Sequence, residues 1–185
     1  MIYFMKLSEL MADFEAQADF EGFVTNDDMV LAIDISDSPS TKVTEYVVAQ
    51  MGISGLDAQL NAESSDKKYI RSGQSSTKVG MQRTFKVSGD KYIGDEFQDF
   101  CLSHAVKYGT GQAVIKPYVF FNIFTGKGEK GTVSIIVNSD GGGNAGENAT
   151  IDIDLKKSGN APAEFDYSTA SQVSVMQAKA KSAEK

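Results

Sequence analysis

A mainly β fold, a sandwich or barrel with one flanking α-helix, a long inter-strand loop and extended terminal arms, is what this sequence predicts. Three observations predict it. Alternating apolar and polar runs recur along the chain, clusters of Gly, Asn, Asp and Ser separate them, and one stretch alone carries a convincing apolar stripe at helical spacing. The clearest alternation spans residues 131–159. Val133, Ile135 and Val137 oppose Thr132, Ser134, Ile136 and Asn138, and after a glycine-rich turn Ile151, Ile153 and Leu155 oppose Asp152 and Asp154. A period of two gives each strand one buried and one mostly wet face. Asp140-Gly-Gly-Gly-Asn-Ala-Gly146 supplies residues that tolerate positive φ, so a looped hairpin is the simplest connection.

The chain has 185 residues, of which 41% are hydrophobic. It has no apolar run near the roughly 20 residues that a membrane helix needs. One soluble domain is expected. With Cys101 as the only cysteine there is no intramolecular disulfide, nothing points to the secretory pathway, and an intracellular setting is the default expectation. A formal charge of −7 argues against tight binding to a phosphate backbone, which requires clustered lysine and arginine.

The N-terminal part is acidic, with no Lys or Arg between Lys6 and Lys42, and is interrupted by Phe14, Phe20 and Phe23. Three phenylalanines in such a segment predict an arm that docks on an apolar surface, of its own domain or of a neighbour. Met5 and Met11 are alternative starts that leave every later motif intact. Met29–Ile35 reads as a strand closed by Ser36-Asp-Ser-Pro-Ser40, and Lys42–Met51 as another. Ile53–Asn61 extends the sheet with a bulge or bend at Gly55. Thr77–Val87 reads as one strand whose apolar face is Val79, Met81, Phe85 and Val87, with Arg83 breaking the pattern.

Between these last two lies a polar connection, residues 62–76, longer than any ordinary hairpin turn. It is either a mobile surface loop or, through Tyr69-Ile70-Arg71, a contact segment that orders on assembly. Asp95–Tyr108 is the helix, with Asp95 as N-cap and Gln98 completing a capping box. Phe97, Phe100, Cys101, Ala105 and Tyr108 form its apolar face, on which Phe100 and Cys101 are expected to anchor it. Ala113–Phe124 is an aromatic strand in which Pro117 fits an edge or an irregularity. After the residue 131–159 hairpin, a short Phe165-Asp-Tyr167 segment pairs or docks, and a Ser, Ala, Gln and Lys tail is expected to be mobile.

Chemistry-bearing motifs are few. Gly141, Gly143 and Gly146 satisfy a G-x-G-x-x-G pattern, but such a loop grips phosphate through a helix that begins directly after it, and here a strand follows. Asp140 lacks the spaced oxygen ligands and terminal glutamate of a calcium loop. His104 has no second histidine or cysteine to share a metal, Cys101 sits on the apolar stripe, and Asp152 and Asp154 are alternate residues on a wet face. No catalytic, cofactor or metal site is expected. A monomeric ligand- or carbohydrate-binding β-sandwich stands as the alternative, although no Trp is available to line its pocket.

The order of strand, strand, long loop, strand, helix, strand and hairpin resembles the major tail tube proteins of long-tailed bacteriophages. Val133-Ser-Ile-Ile-Val-Asn-Ser-Asp-Gly-Gly-Gly-Asn-Ala-Gly-Glu-Asn-Ala-Thr-Ile-Asp-Ile-Asp-Leu-Lys156 is similar to that family's penultimate strand, glycine turn and final strand. The resemblance covers about residues 26–167, which divides the chain into an arm (1–25), a barrel domain (26–167) and a tail (168–185). It implies a structural virion protein, not an enzyme and without cofactors, made in the bacterial host cytoplasm and assembled into stacked hexameric rings. Those rings form a conduit for DNA, which passes transiently and without sequence preference. It also implies tail terminator, tail tip and tape-measure partners, and no membrane. The contacts it implies are Lys67, Lys68, Tyr69, Ile70 and Arg71 as an assembly loop and Phe14, Phe20 and Phe23 as arm contacts. Gln82, Thr84, Ser134, Asp152 and Asp154 are candidate lumen-facing residues of a polar, predominantly acidic wall.

Overall fold

A computed structural model describes residues 5–37 and 42–168. The expected mobile tail from residue 169 onward, and much of the Ser36–Ser40 turn, lie outside the described residues. The centre is the hairpin anticipated from alternation, β8 (Lys127–Ser139) with β9 (Thr150–Asp166), in which Ile135 faces Leu155 and Val137 faces Ile153. Strand β7 (Ile115–Asn122) pairs with the other edge of β8, and β1 (Met29–Ile33) with β7. On the β9 side come β6 (Thr84–Asp90) and then β3 (Ile53–Gln59), whose ladder carries a bulge at Gly55 as anticipated. With the two-residue β2 (Val47–Val48) at the margin, the order is β2-β1-β7-β8-β9-β6-β3, antiparallel throughout, and the sheet curls into a half-barrel.

Each face of this sheet carries its own core. Leu31, Ile33, Phe85, Val87, Val133, Ile135, Ile153 and Leu155 pack on one face beneath two short helices, α2 (Glu96–Cys101) and α3 (His104–Lys107). Val30, Ala32, Val119, Phe121, Phe165 and Tyr167 pack on the opposite face beneath the N-terminal segment, whose single-turn helix α1 (Leu7–Leu10) contributes Leu7, with Met11 following it. Strands β1 and β7 are therefore apolar on both faces, which explains their unbroken hydrophobic runs.

Several expectations change. The predicted single helix breaks at Leu102–Ser103, because Ser103 caps a new helix by accepting the Val106 N–H. Asp95 caps α2 as expected, accepting the Gln98 N–H at 3.0 Å, but the capping box does not close. Gln98 turns inward instead. Phe97 and Cys101 are fully buried anchors, whereas Phe100 is only partly buried beside Lys116, and Tyr108 is exposed. Residues 42–51 are mostly not a strand: a 3-10 turn (Val43–Glu45) precedes β2, and Gly52 then turns the chain at φ 72°. A Cβ at Gly52 would lie 2.4 Å from the Asp90 carbonyl oxygen.

Pro117 sits inside the sheet. Its missing N–H lies toward the end of β1, whose ladder with β7 stops at the Ile33–Tyr118 pair, so no strand bond is lost there. The Thr77–Val87 run divides at Gln82–Arg83. Its first part is β5 (Gly73–Met81), which pairs with β4 (Ala62–Tyr69) in a separate two-stranded hairpin. The predicted long loop is thus ordered backbone. Its turn, residues 70–72, needs left-handed backbone at Arg71 (φ 71°) and is followed by Gly73 at φ 73°.

Candidate assembly surfaces

The N-terminal arm is bound to its own domain along most of its length. Leu7 donates its N–H to Tyr46 O at 2.8 Å, and Lys6 pairs with Glu45 at 2.9 Å. Phe14 meets Tyr167 edge-on at 5.5 Å, and Phe20 stacks on Phe124 at 4.6 Å, where Gln17 N–H also bonds Phe124 O. Phe23 is different. It stands wholly in solvent, with half-exposed Val24 beside it. Of the three arm phenylalanines, two meet their own barrel and one is presented outward.

The β4–β5 hairpin projects from the end of the sheet where β3 stops and β6 starts. Its side chains are exposed on both faces, with Ser76 Oγ to Asp66 as a cross-strand bond. Lys67, Lys68, Tyr69, Ile70 and Arg71 all gather at its tip, where Ile70 is 93% exposed. A two-sided polar hairpin has no buried face, so it offers no alternation from which a strand could be read.

The hairpin's root is fixed by contacts that sequence reasoning did not anticipate. Asn61, at φ 42°, donates through Nδ2 to Gln82 O and Thr84 Oγ1. Gln82 Nε2 reaches Lys157 O at 3.0 Å. Arg83, the residue that broke the alternation, is buried with its guanidinium over the rings of Phe85 and Phe120, and its Nε meets Glu129 Oε1 at 2.7 Å. Tyr118 Oη donates to the same carboxylate oxygen at 2.9 Å, and burial, with the Glu129 charge next, pushes that phenol above its ordinary range. The only signal in sequence was the pattern break itself.

The face of β3, β6, β9 and β8 that the arm leaves open carries Asp57, Lys86, Ser88, Asp152, Asp154, Lys156, Ser134 and Ile136. The proposed lumen residues divide on it. Gln82 and Asp152 are exposed and Ser134 is half-buried. Thr84 is buried beneath Asn61, and Asp154 is 8% exposed with Lys156 Nζ at 3.5 Å, so neither offers a solvated side chain. The polar strand face is mixed in charge, because Lys86 and Lys156 interleave with the aspartates.

At the sheet end opposite the hairpin, Asp140 ties two elements together. Its carbonyl accepts from Lys91 Nζ at 2.9 Å and its carboxylate from Lys107 Nζ at 2.6 Å. The ammonium beside it holds the Asp140 carboxyl below its usual range. The glycines that follow lie in the β8–β9 connection, where Thr150 N–H bonds Gly142 O and a strand, not a helix, comes next. His104 lies 4.8 Å from Tyr108 with the rings tilted by 48°, and burial pushes the Cys101 thiol well up, leaving it protonated and inert. Among the described residues no three His, Cys, Asp or Glu side chains are grouped to hold a metal ion, and no helix is long and apolar enough to cross a membrane.

No protein-family model matches the chain, and no curated protein matches it. Solved structures do. A chain from the tail of an empty gene transfer agent particle, computed with helical refinement and C6 symmetry, matches at 16% identity and TM-score 0.52, covering 77% of this chain and 98% of that one. A chain from the virion of a native gene transfer agent particle matches at 13% identity and TM-score 0.54, covering 77% and 99%. At these identities the likeness establishes the fold. It is a mainly β fold shared with chains of gene transfer agent particles, in agreement with the fold class read from the sequence.

Proposed function

We propose that this protein is the structural subunit of a phage-type tail tube, in which six copies form a ring, rings stack, and DNA passes through the bore. The observation that carries the reading is the β4–β5 hairpin. It commits some twenty residues to an ordered projection with no core of its own, and its tip leaves Tyr69 and Ile70 exposed. The fold likeness supports it, since the matched chain comes from a tail with C6 symmetry. Among the described residues no strand pairs with the outer side of β3, which supports lateral joining, because adjacent copies that continue one another's sheets remove edges that a monomer must otherwise protect. Phe23 is an arm contact on a neighbour, while Phe14 and Phe20 hold the arm in place.

The role is structural and non-enzymatic, within a virion tail, with terminator, tip and tape-measure proteins as the neighbours at the tube's ends and inside it. In this arrangement the open polar face of β8, β9, β6 and β3 lines the bore. Size-exclusion chromatography followed by negative-stain electron microscopy tests the reading: rings or hollow filaments are expected on concentration. A species that stays monomeric throughout would favour the ligand-binding sandwich instead.

A further inference from the structure

The curled sheet ends in two margins, β2 with the start of β1 on one side and β3 on the other, and the chain itself spans the gap between them. Just before β1, the 3-10 turn Asn26–Asp28 is closed by Thr25, whose N–H and Oγ1 donate to Asp28 Oδ2 at 2.7 and 2.8 Å. Ile123 N–H donates to Asp28 O at 2.8 Å, which ties the turn to the end of β7. From that fixed base Asn26 Nδ2 reaches across to Leu56 O on β3 at 2.9 Å. A cleft opens on either side of this bond. One, of about 270 Å³, is lined by Met29, Val30, Val48 and Ile53, and the other, of about 430 Å³, by Asp57, Lys86, Ser88 and Asp152.

We propose that Asn26 is an edge guard: it occupies the outer side of β3 in the free chain and is displaced when a strand of a second copy adds there. The inference rests on the lateral joining in the tube reading and adds the contact that restrains it. Leu56 faces Val87 in the ladder with β6, and its carbonyl accepts from outside that ladder. Alternate residues of an edge strand turn both N–H and C=O outward, so Leu56 and Ala58 are where a further strand bonds. An amide that caps one of those carbonyls bars another backbone from the edge. The guard is held by little. Its bond to β3 is exposed, and of the residues leading into the turn Phe23 stands in solvent and Val24 is half exposed. In dilute solution the intramolecular contact wins because it needs no second molecule. At high concentration a strand lying along the seven residues of β3 replaces one side-chain bond with a ladder of backbone bonds, and the exchange favours the assembly.

The test follows assembly of the full chain and of Asn26→Ala by light scattering from a common monomer concentration. Removing the guard should shorten the lag by roughly threefold or more, with the same tubes by electron microscopy. Adding Ala58→Pro, which deletes an outward N–H and sets a ring against an incoming strand, should abolish assembly in either background. Circular dichroism confirms that each variant is folded. Should Ala58→Pro not fold, hydrogen exchange decides instead: the Leu56 and Ala58 amides should be roughly tenfold or more better protected in tubes than in the monomer. An unchanged or longer lag for Asn26→Ala, assembly that survives a folded Ala58→Pro, or tubes that leave those amides unprotected overturns the inference while the tube reading stands. If neither the unmodified chain nor Asn26→Ala ever assembles, both fall.

Discussion

Gln98 shows how a polar side chain earns a place in the core. It has no solvent exposure, yet its Nε2 donates to Met51 O at 2.6 Å and Asp90 O at 3.1 Å while its Oε1 accepts from Tyr92 N. Gln98→Leu should therefore destabilise by about 1–3 kcal/mol in chemical denaturation, the cost of leaving buried backbone groups unsatisfied. Local spacing assigned this residue to a capping box, because sequence pattern sees residue 95 nearby and cannot see Met51, 47 positions away. The Asp95 cap itself was legible, being a local event. Arg83 is a second case. Breaking its pair by Arg83→Met should cost about 3 kcal/mol, the low end for a buried ion pair, since Glu129 keeps partial access to water. Burial also raises the phenols of Tyr46, to about 12, and of Tyr167 and Tyr118. Their unfolded value is about 10. The folded state thus holds these protons more tightly, so the stabilisation is complete below pH about 10 and is lost as pH rises toward 12. Urea midpoints measured across that window should fall steeply, and Tyr46→Phe should flatten the decline.

At the scale of elements, legibility followed burial. The β8–β9 hairpin was read correctly because Val133, Ile135, Ile151, Ile153 and Leu155 all point into one core. The β4–β5 hairpin was not, because both of its faces are wet and its order comes from cross-strand backbone bonds, which pattern does not encode. Deleting residues 67–73 should shorten this hairpin to its root and leave a folded monomer by circular dichroism, with tubes absent by electron microscopy. The arm was half legible. Its phenylalanines signalled docking, but Leu7 and Met11, which lie under the sheet, carry no period in so short a helix. Leu7→Ala should cost about 2–5 kcal/mol, as expected for a fully buried leucine, and would show as a lower thermal midpoint.

For the whole molecule, the sequence conveyed the order and class of the elements, while the division into two cores depended on contacts between distant segments. The open sheet face is a case in point: Asp152 was legible as a wet position, but the burial of Thr84 and Asp154 arises from Asn61 and Lys156. Lys86 and Lys156 offset part of the aspartate charge on that face, but because the chain is acidic overall, at −7, assembled tubes should not retain duplex DNA in a co-sedimentation assay near physiological salt. Asp57→Lys/Asp152→Lys tubes should retain it, and more so as salt is lowered. The strand order has a consequence in time. The two central strands, β8 and β9, follow all five others in the chain: β1 can pair with β2 and β3 with β6 early, but the two halves join only through β7, β8 and β9. A ribosome delivering some 5–20 residues per second therefore releases the hairpin several seconds before the sheet that supports its root can close. Until then a nascent chain carries the hairpin without the sheet that roots it, so on the tube reading proposed above copies meet as finished parts only after synthesis has passed residue 166.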